Sequence, residues 1–429
     1  MSEFFNVLPP DQARDLLLRH LTAVLPSETI PTATAVGRIT AKPLRSSLNL
    51  PAFRRSTMDG YAVRAADTYG ASESLPAFLT VIGEVPMGKN AAITLQTGQA
   101  VLVHTGGMIP QSADAVVQIE HTQSILPQSP TPNPHSPLSE IEVLKAVAVG
   151  QNVLQIGEDV AEDEEILPAG HRLRPQDLGG LLAVGITELP VARQPRVGIL
   201  ATGDEVVHPS LITQPGQVRD INSYTVSGQI IEAGGIPVRG GIIPDNYAAL
   251  ETAAAKLLAE CDMLVFSAGS SVSARDMTAR VIDGLGKPGV LLHGVATRPG
   301  KPTIVGAISS VRNGKIIHKP VLGLPGNPVS AMIQFDMFGI PAIYWLQGLK
   351  TMPRRGRVWA RLSQNVPSES GREDYVPARL ADSADGLIAT PVFGKSNLIY
   401  TLVSADGLIK VPLNKAGLET GDWVEVRLF

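Results

Sequence analysis

The chain has 429 residues, 44% of them hydrophobic and 18% charged, with a mean hydropathy of +0.12. This excludes the low-hydrophobicity composition of a disordered chain and supplies apolar material for several buried cores, about three or four domains at roughly 100–200 residues each. A net charge of −4, a pI near 6.1 and no run of five basic residues argue against nucleic acid or anionic membrane as partner and leave small molecules and proteins.

The start, MSEFFNVLPPDQ, lacks the basic and apolar regions of a signal peptide, and no stretch of 18 apolar residues occurs, so a cytoplasmic protein is expected. Residues 11–25 (DQARDLLLRHLTAVL) carry apolar positions at helical spacing between Asp11 and Pro26, which predicts a helix packed on something distant in sequence. From 51 to 144 the pattern changes to short strand-like segments, AFLTVIGEV (77–85), AVLVHTGGMIP (100–110) and AVVQIEHT (115–122), which reads as a small β domain. The five prolines of LPQSPTPNPHSP cannot join a central sheet and predict an exposed loop over 127–137. LGGLLAVGI (178–186) predicts a helix ending at Gly185. Residues 1–50 with 145–190 are therefore expected to form an N-terminal helical linker domain into which 51–144 is inserted.

Beyond Pro195, apolar strands alternate with helices: RVGILAT (196–202), IPVRGGII (236–243), DMLVFSAG (262–269), VLLHGVAT (290–297) and VLGL (321–324), with helices near 223–233, 247–260, 276–284 and 328–346. This alternation predicts a central doubly wound α/β domain over 191–348, with a hairpin at Asn313-Gly314. Strand patterns return after 352, and WVEVRL (423–428) follows a Gly421-Asp422 turn, so 349–429 is expected to be a C-terminal β-barrel or sandwich. The lone cysteine, Cys261, flanked by Glu260 and Asp262, is expected at a core edge rather than in catalysis.

Ligands of open α/β sheets bind beyond the carboxyl ends of the strands, so the loops there carry the chemistry. In GLPGNP (323–328), Gly323 and Gly326 are expected to admit a ligand to the backbone. Asn327 is expected to cap the next helix, and Pro328 suits its first position, leaving N–H groups for an anion. SAGSSVS (267–273) repeats the design with hydroxyls, and TRPGKP (297–302) adds Arg298 and Lys301 in a backbone stiffened by Pro299 and Pro302. Asp204, Glu205, Asp220, Asp245 and Asp276 fall in the same ring of loops. Carboxylates beside anion-seeking loops are reconciled by a divalent cation, so Mg²⁺ is expected. Each one alone reads equally as a helix cap or a solvated pair. Asp59, in STMDGYAV (56–63), lies in the first β domain, where Asp-Gly also marks an ordinary turn. The eight histidines show no metal-ligand spacing, and no Ser-His-Asp set indicates acyl transfer.

In order and spacing these motifs resemble the molybdopterin molybdenumtransferase family, which includes the C-terminal domain of gephyrin. The motifs are MDGYAV (58–63), TGGMIPQSADAVVQIE (105–120), GEDV (157–160), ATGDEV (201–206), SAGSSVSARD (267–276), TRPGKP and GLPGNPVSA. The resemblance implies that adenylylated molybdopterin and molybdate react with Mg²⁺ to place molybdenum on the dithiolene and release AMP. It implies catalytic roles for Asp59, Asp159, Glu205, Asp245, Asp276 and Lys301, with Glu205, Asp245 and Asp276 as metal ligands. It implies substrate contacts from Thr105, Thr202, Gly203, Asp204, Gly269, Ser270, Ser271, Arg298, Pro299, Gly300, Pro325, Gly326, Asn327, Pro328, Arg379 and Ser396. It also implies a homodimer whose cleft is shared between subunits, and a molybdopterin adenylyltransferase as a partner. The chain departs from the family pattern at Ala268, Ser273 and Ile221, and at Pro377, where Arg379 or Arg372 is expected to substitute for an arginine. A non-catalytic molybdopterin-binding scaffold and a molybdopterin adenylyltransferase are the competing readings.

Overall fold

The computed structural model describes residues 7–21, 24–125, 139–267, 272–312, 314–349 and 351–429, and the side chains of 272–274 are not among those described. The proline-rich loop, Asn313, and the Ala268 to Ser271 loop with its Gly269 and Ser270 lie outside the described residues, as does the side chain of Ser273.

The chain leaves and re-enters a slender linker domain through three antiparallel pairings. Ser27–Pro31 pairs with Glu188–Ala192, Leu44–Arg45 with Glu165–Leu167, and Arg55–Ser56 with Val153–Leu154. A core of Ala35, Leu44, Leu173, Leu181, Leu189 and Val191 holds it, together with the helix Pro175–Ala183. The segment between these pairings forms a separate six-stranded sheet with its own core around Tyr61, Val63, Val117 and Ile141. The inserted β domain expected from sequence is thus present.

One grouping differs. The first helix, Pro10–His20, places Ala13 and Leu17 in the same core as Val197, Phe335 and Ile343 of the α/β domain. Just beyond its end, the Leu21 carbonyl accepts from Trp345 Nε1 at 2.8 Å. Its apolar stripe, spaced by four residues, fits the long helix of that domain, so the start of the chain serves the α/β domain rather than the linker.

The α/β sheet runs Ile236–Ile243, Arg196–Thr202, Met263–Ser267, Lys315–Leu324, Ile304–Arg312, Pro288–His293. Strand Ile304–Arg312 is antiparallel to both its neighbours, and the rest of the sheet is parallel. The antiparallel strand is the consequence of the hairpin around Gly314, because a short turn can only return the chain in the opposite direction. Helices Asn222–Glu232, Tyr247–Glu260 and Val272–Gly284 connect the strands. The helical run Pro328–Leu346 is apolar enough to cross a membrane by length and composition, but its most apolar window is 89% buried inside the protein, which makes it a core helix.

The C-terminal strands Glu373–Ser383, Gly386–Pro391, Arg357–Leu362, Trp423–Leu428 and Gly407–Val411 close on themselves into a five-stranded barrel. Thr297–Arg298 adds to this barrel beside Glu373 and Asp374, which stitches the TRPGKP loop of the α/β domain to it.

Two parallel strands of the α/β sheet are registered at their starts by Asp262, whose side chain is 5% exposed. Its carboxylate accepts from Arg196 N at 2.9 Å, from Arg193 at 2.9 Å and from Arg312 at 2.7 Å. Burial alone would raise its pKa; these donors more than offset that and hold it below the ordinary 3.8. The stability it contributes is therefore present above that value and is lost as pH falls through the depressed one. Next to it, Cys261 is buried and its thiol is pushed up by that burial, in line with a core role. Asp262→Ala should destabilise the protein by about 3 kcal/mol, the scale for removing one partner of a buried ion pair. Urea denaturation at pH 7 checks this, and the deficit should shrink under acid conditions that protonate Asp262 in the wild type.

Candidate functional site

Two cavities lie side by side at the carboxyl ends of the sheet, and GLPGNP forms the wall between them. The first, about 380 Å³, is lined by Thr202, Glu205, Asp220, Asn222, Ser267 and the 326–328 segment, among others. The second, about 550 Å³, lies between the TRPGKP loop and the barrel. Asn327 lines both.

The first cavity is acidic, its lining carrying Glu205 and Asp220 against Arg219, with two further carboxylates on adjoining loops. Thr202, 1% exposed, donates from Oγ1 to Asp245 Oδ1 at 2.6 Å, and the Asp245 backbone N–H donates to Asp204 Oδ1 at 3.2 Å. Two loops carrying carboxylates are thereby tied together, with Asp204 and Asp245 facing solvent. Glu205 stands on the cavity wall, and Gly203 beside it has a backbone φ of +142°. Asp220 accepts from Ser223 N at 3.0 Å and serves the start of the helix that follows, the plainer of its two expected roles. Ile221, one of the departures noted in the sequence, lines the cavity.

The second cavity is basic. Arg298, Lys301, Arg372 and Lys395 line it against one carboxylate, Asp374. Asp374, 3% exposed, accepts from Arg372 Nε at 2.9 Å and lies 3.7 Å from Arg298, so it holds both guanidinium groups in place. Pro299, Gly300, Pro325 and Ser396 complete the expected residues here, and Pro377 lines the barrel side. Arg379 does not line this cavity, because its Nε donates to the Ser404 carbonyl at 2.6 Å. Arg372 is the arginine that occupies it.

Two expectations for GLPGNP are corrected. Gly323 lies inside the strand Lys315–Leu324, where an added Cβ would come within 3.0 Å of Ile304 and 3.3 Å of Thr278; its reason is core packing. Asn327 makes no side-chain cap to the next helix. Its Nδ2 donates instead to Ser396 Oγ at 2.9 Å, and the Val329 N–H beyond Pro328 donates to the Ser396 carbonyl at 3.1 Å. The barrel occupies a donor that the sequence reserved for an anion.

The remaining expected residues lie elsewhere. Asp59 Oδ1 accepts from Thr105 N at 2.8 Å on the inserted β domain, with His104 Nδ1 3.9 Å away, so these two expected residues do meet. Asp159 is exposed in the linker, its N–H bonded to the Leu50 carbonyl at 3.0 Å. Asp276 is exposed on the helix Val272–Gly284. None of these four lines either cavity of its own chain. Among the described residues no three His, Cys, Asp or Glu side chains converge closely enough to hold a metal, so Glu205, Asp245 and Asp276 are not a preformed triad. Sequence reasoning missed Asn222, Asp374 and Lys395. Asn222 lies in the loop that carries Asp220 and Ile221, and the other two belong to GREDYVPAR and FGKSN in a barrel whose edges could not be aimed from sequence.

Gly300, at φ +108°, has no room for a Cβ, which would meet Gln334 at 2.4 Å. Gln334, fully buried, donates to the Pro299 carbonyl at 2.9 Å and so fixes the loop carrying Arg298 and Lys301. Gly300→Ala should cost about 1–3 kcal/mol in strain and overpacking, read as a lowered melting temperature. An unchanged melting temperature would show that the loop yields freely.

Three family models match the chain in order: the MoeA N-terminal region (domain I and II) over residues 8–185, a probable molybdopterin binding domain over 198–345, and the MoeA C-terminal region (domain IV) over 359–429. The molybdopterin molybdenumtransferase of Haemophilus influenzae is 32% identical over 425 residues, covering 99% of both chains. That of Bacillus subtilis is 32% identical over 404 residues, covering 94% of this chain and 90% of the relative. The crystal structure of the molybdopterin biosynthesis MoeA protein from Pyrococcus horikoshii OT3 superposes with a TM-score of 0.82 at 30% identity, covering 99% of this chain and 100% of that one.

Proposed function

The chain belongs to the MoeA family of molybdopterin molybdenumtransferases, and from that premise we propose how its own residues bring about molybdenum insertion in molybdenum-cofactor biosynthesis. In this reading adenylylated molybdopterin and molybdate are the substrates and AMP is released. The observation that carries it is the pairing of two cavities of opposite charge across one wall, a basic one suited to an oxyanion and an acidic one that would meet substrate phosphates through a divalent cation.

The basic cavity suits a tetrahedral dianion: Arg298, Lys301 and Arg372 present charge from three directions, and Asp374 keeps the arginines from collapsing onto the ligand. The acidic end suits a cation that takes only a few protein ligands. Glu205 and Asp245 would hold Mg²⁺, and the remaining positions fall to substrate phosphates and water. Bound there, Mg²⁺ would neutralise phosphate charge as the adenylyl bond breaks. Thr202 fixes the Asp245 carboxylate by its hydrogen bond and leaves the second oxygen of that group for ligand. Asp59, Thr105 and Asp159 would then act on the cavities of a second subunit in a homodimer. We place the reaction in the cytoplasm, with a molybdopterin adenylyltransferase supplying the nucleotide substrate. A reading as adenylyltransferase alone leaves the barrel-side cavity without a role.

Purified protein given adenylylated molybdopterin, molybdate and Mg²⁺ should release AMP, measured by chromatography. Asp245→Ala should lower that rate by roughly 100-fold or more, the scale of several kcal/mol of lost charge stabilisation, while the homodimer persists in size-exclusion chromatography. A wild-type rate in the variant would contradict the role of the acidic end. Absence of AMP release from the wild-type protein, with pterin still bound, would favour the scaffold.

A further inference from the structure

We propose that a third cavity, between the first helix, the long helix of the α/β domain and the barrel, is a separate anion site that takes an organic phosphate with an apolar body. This does not rest on the molybdopterin reading above.

The cavity measures about 600 Å³. Among the described residues its lining shares only Tyr375 with the basic cavity and nothing with the acidic one. Tyr375 donates its hydroxyl to Glu373 at 2.5 Å, so it serves as a partition rather than a ligand. The charge is written in the sequence that joins the long helix to the barrel, PRRGR (353–357). Arg354, Arg355 and Arg357 enter the lining together with Arg14 of the first helix and Arg427 of the barrel, and only two carboxylates, Asp11 and Asp336, stand among these five guanidinium groups.

Asp336 lies in a π-helical turn, Phe335–Gly339, a distortion of helices that is frequent at functional positions. It is ion-paired with both Arg355 and Arg427. Its side chain is 5% exposed, whereas those of Arg355 and Arg427 are 34% and 25% exposed, so the carboxylate is buried while the two side chains it orients stay open to the cavity. A guanidinium carries five N–H donors, and the closest contact to Asp336 is through one terminal nitrogen of each, which leaves donors for a phosphate. The other pairs are accessible to solvent and therefore weak: Arg14 with Asp11 at 3.0 Å, and Arg357 with Glu425 at 3.0 and 3.2 Å. Arg354 has no ion pair or hydrogen bond among the described residues. Charges of one sign gathered in a cleft concentrate ions of the other, and arginine matches the geometry of phosphate.

The rest of the lining sets the class of ligand. Met337, Ile340, Pro341 and Met352 are apolar, and the volume falls in the range of about 300–1,000 Å³ that suits an organic molecule and far exceeds a bare phosphate. An anionic group would sit among the arginines and an apolar body against these side chains.

The probe is 6-bromo-2-naphthyl phosphate, with 6-bromo-2-naphthol and inorganic phosphate as its two halves. Titration calorimetry uses the full chain carrying Lys301→Ala, which weakens anion binding in the basic cavity beside GLPGNP. The whole probe should bind about tenfold or more tighter than either half, and adding Arg354→Gln should weaken it by about tenfold. Crystals of the unsubstituted protein soaked in the probe should show a bromine anomalous peak beside Met337 and Ile340. The proposal is overturned if the probe does not bind, if either half binds as tightly as the whole, if Arg354→Gln leaves its affinity unchanged, or if no bromine peak lies in this cavity.

Discussion

The arrangement of the site depends on the contact between Asn327 and Ser396. This hydrogen bond, with the neighbouring one from Val329 N–H to the Ser396 carbonyl, fixes the wall between the cavities to a loop of the barrel. Each such bond contributes only about 0.5–1.5 kcal/mol net. Their effect is geometric. The barrel cannot shift without moving the wall, and the wall cannot shift without disturbing Asn222, which holds it from the other side through Gly326. The addition of Thr297–Arg298 beside Glu373 and Asp374 closes the same junction from the opposite edge.

Rigidity here allows charges of opposite sign to be kept close together. Four basic side chains would repel one another in an open loop, and each would find the nearest carboxylate. Asp374 is buried and shared between Arg298 and Arg372, which leaves the cavity with an excess of positive charge held in place. On the other side of the wall Thr202 and the Asp245 N–H hold carboxylates from two loops at the rim. In the proposed reaction the electrostatic work is done by this preorganisation rather than by movement of the groups.

The fold was largely legible because strand and helix periods differ and because glycine and proline punctuate the joins. The strands of the α/β domain fall close to their expected places, and so does the helix that ends before Gly185, which has φ +79°. The long apolar helix was legible as a helix, but its partner was not. The first helix packs on it from more than 300 positions away, and nothing local in Pro10–His20 records that. For the site, loop composition identified several residues of both cavities but not Asp374 or Lys395, and it did not tell which neighbour would use each donor. Asn327 has the right chemistry for a cap, yet tertiary contact with Ser396 takes its amide. Arg379 has the right charge, yet the Ser404 carbonyl takes its guanidinium, and Arg372 stands in the cavity.

The most direct measurement of the two-cavity account is anomalous diffraction at the molybdenum edge from crystals of the protein soaked in molybdate. The account predicts one strong peak between Arg298, Lys301 and Arg372, on the barrel side of the GLPGNP wall. Molybdenum bound at the acidic end among Glu205 and Asp245, or a barrel-side cavity empty at saturating molybdate, would contradict it.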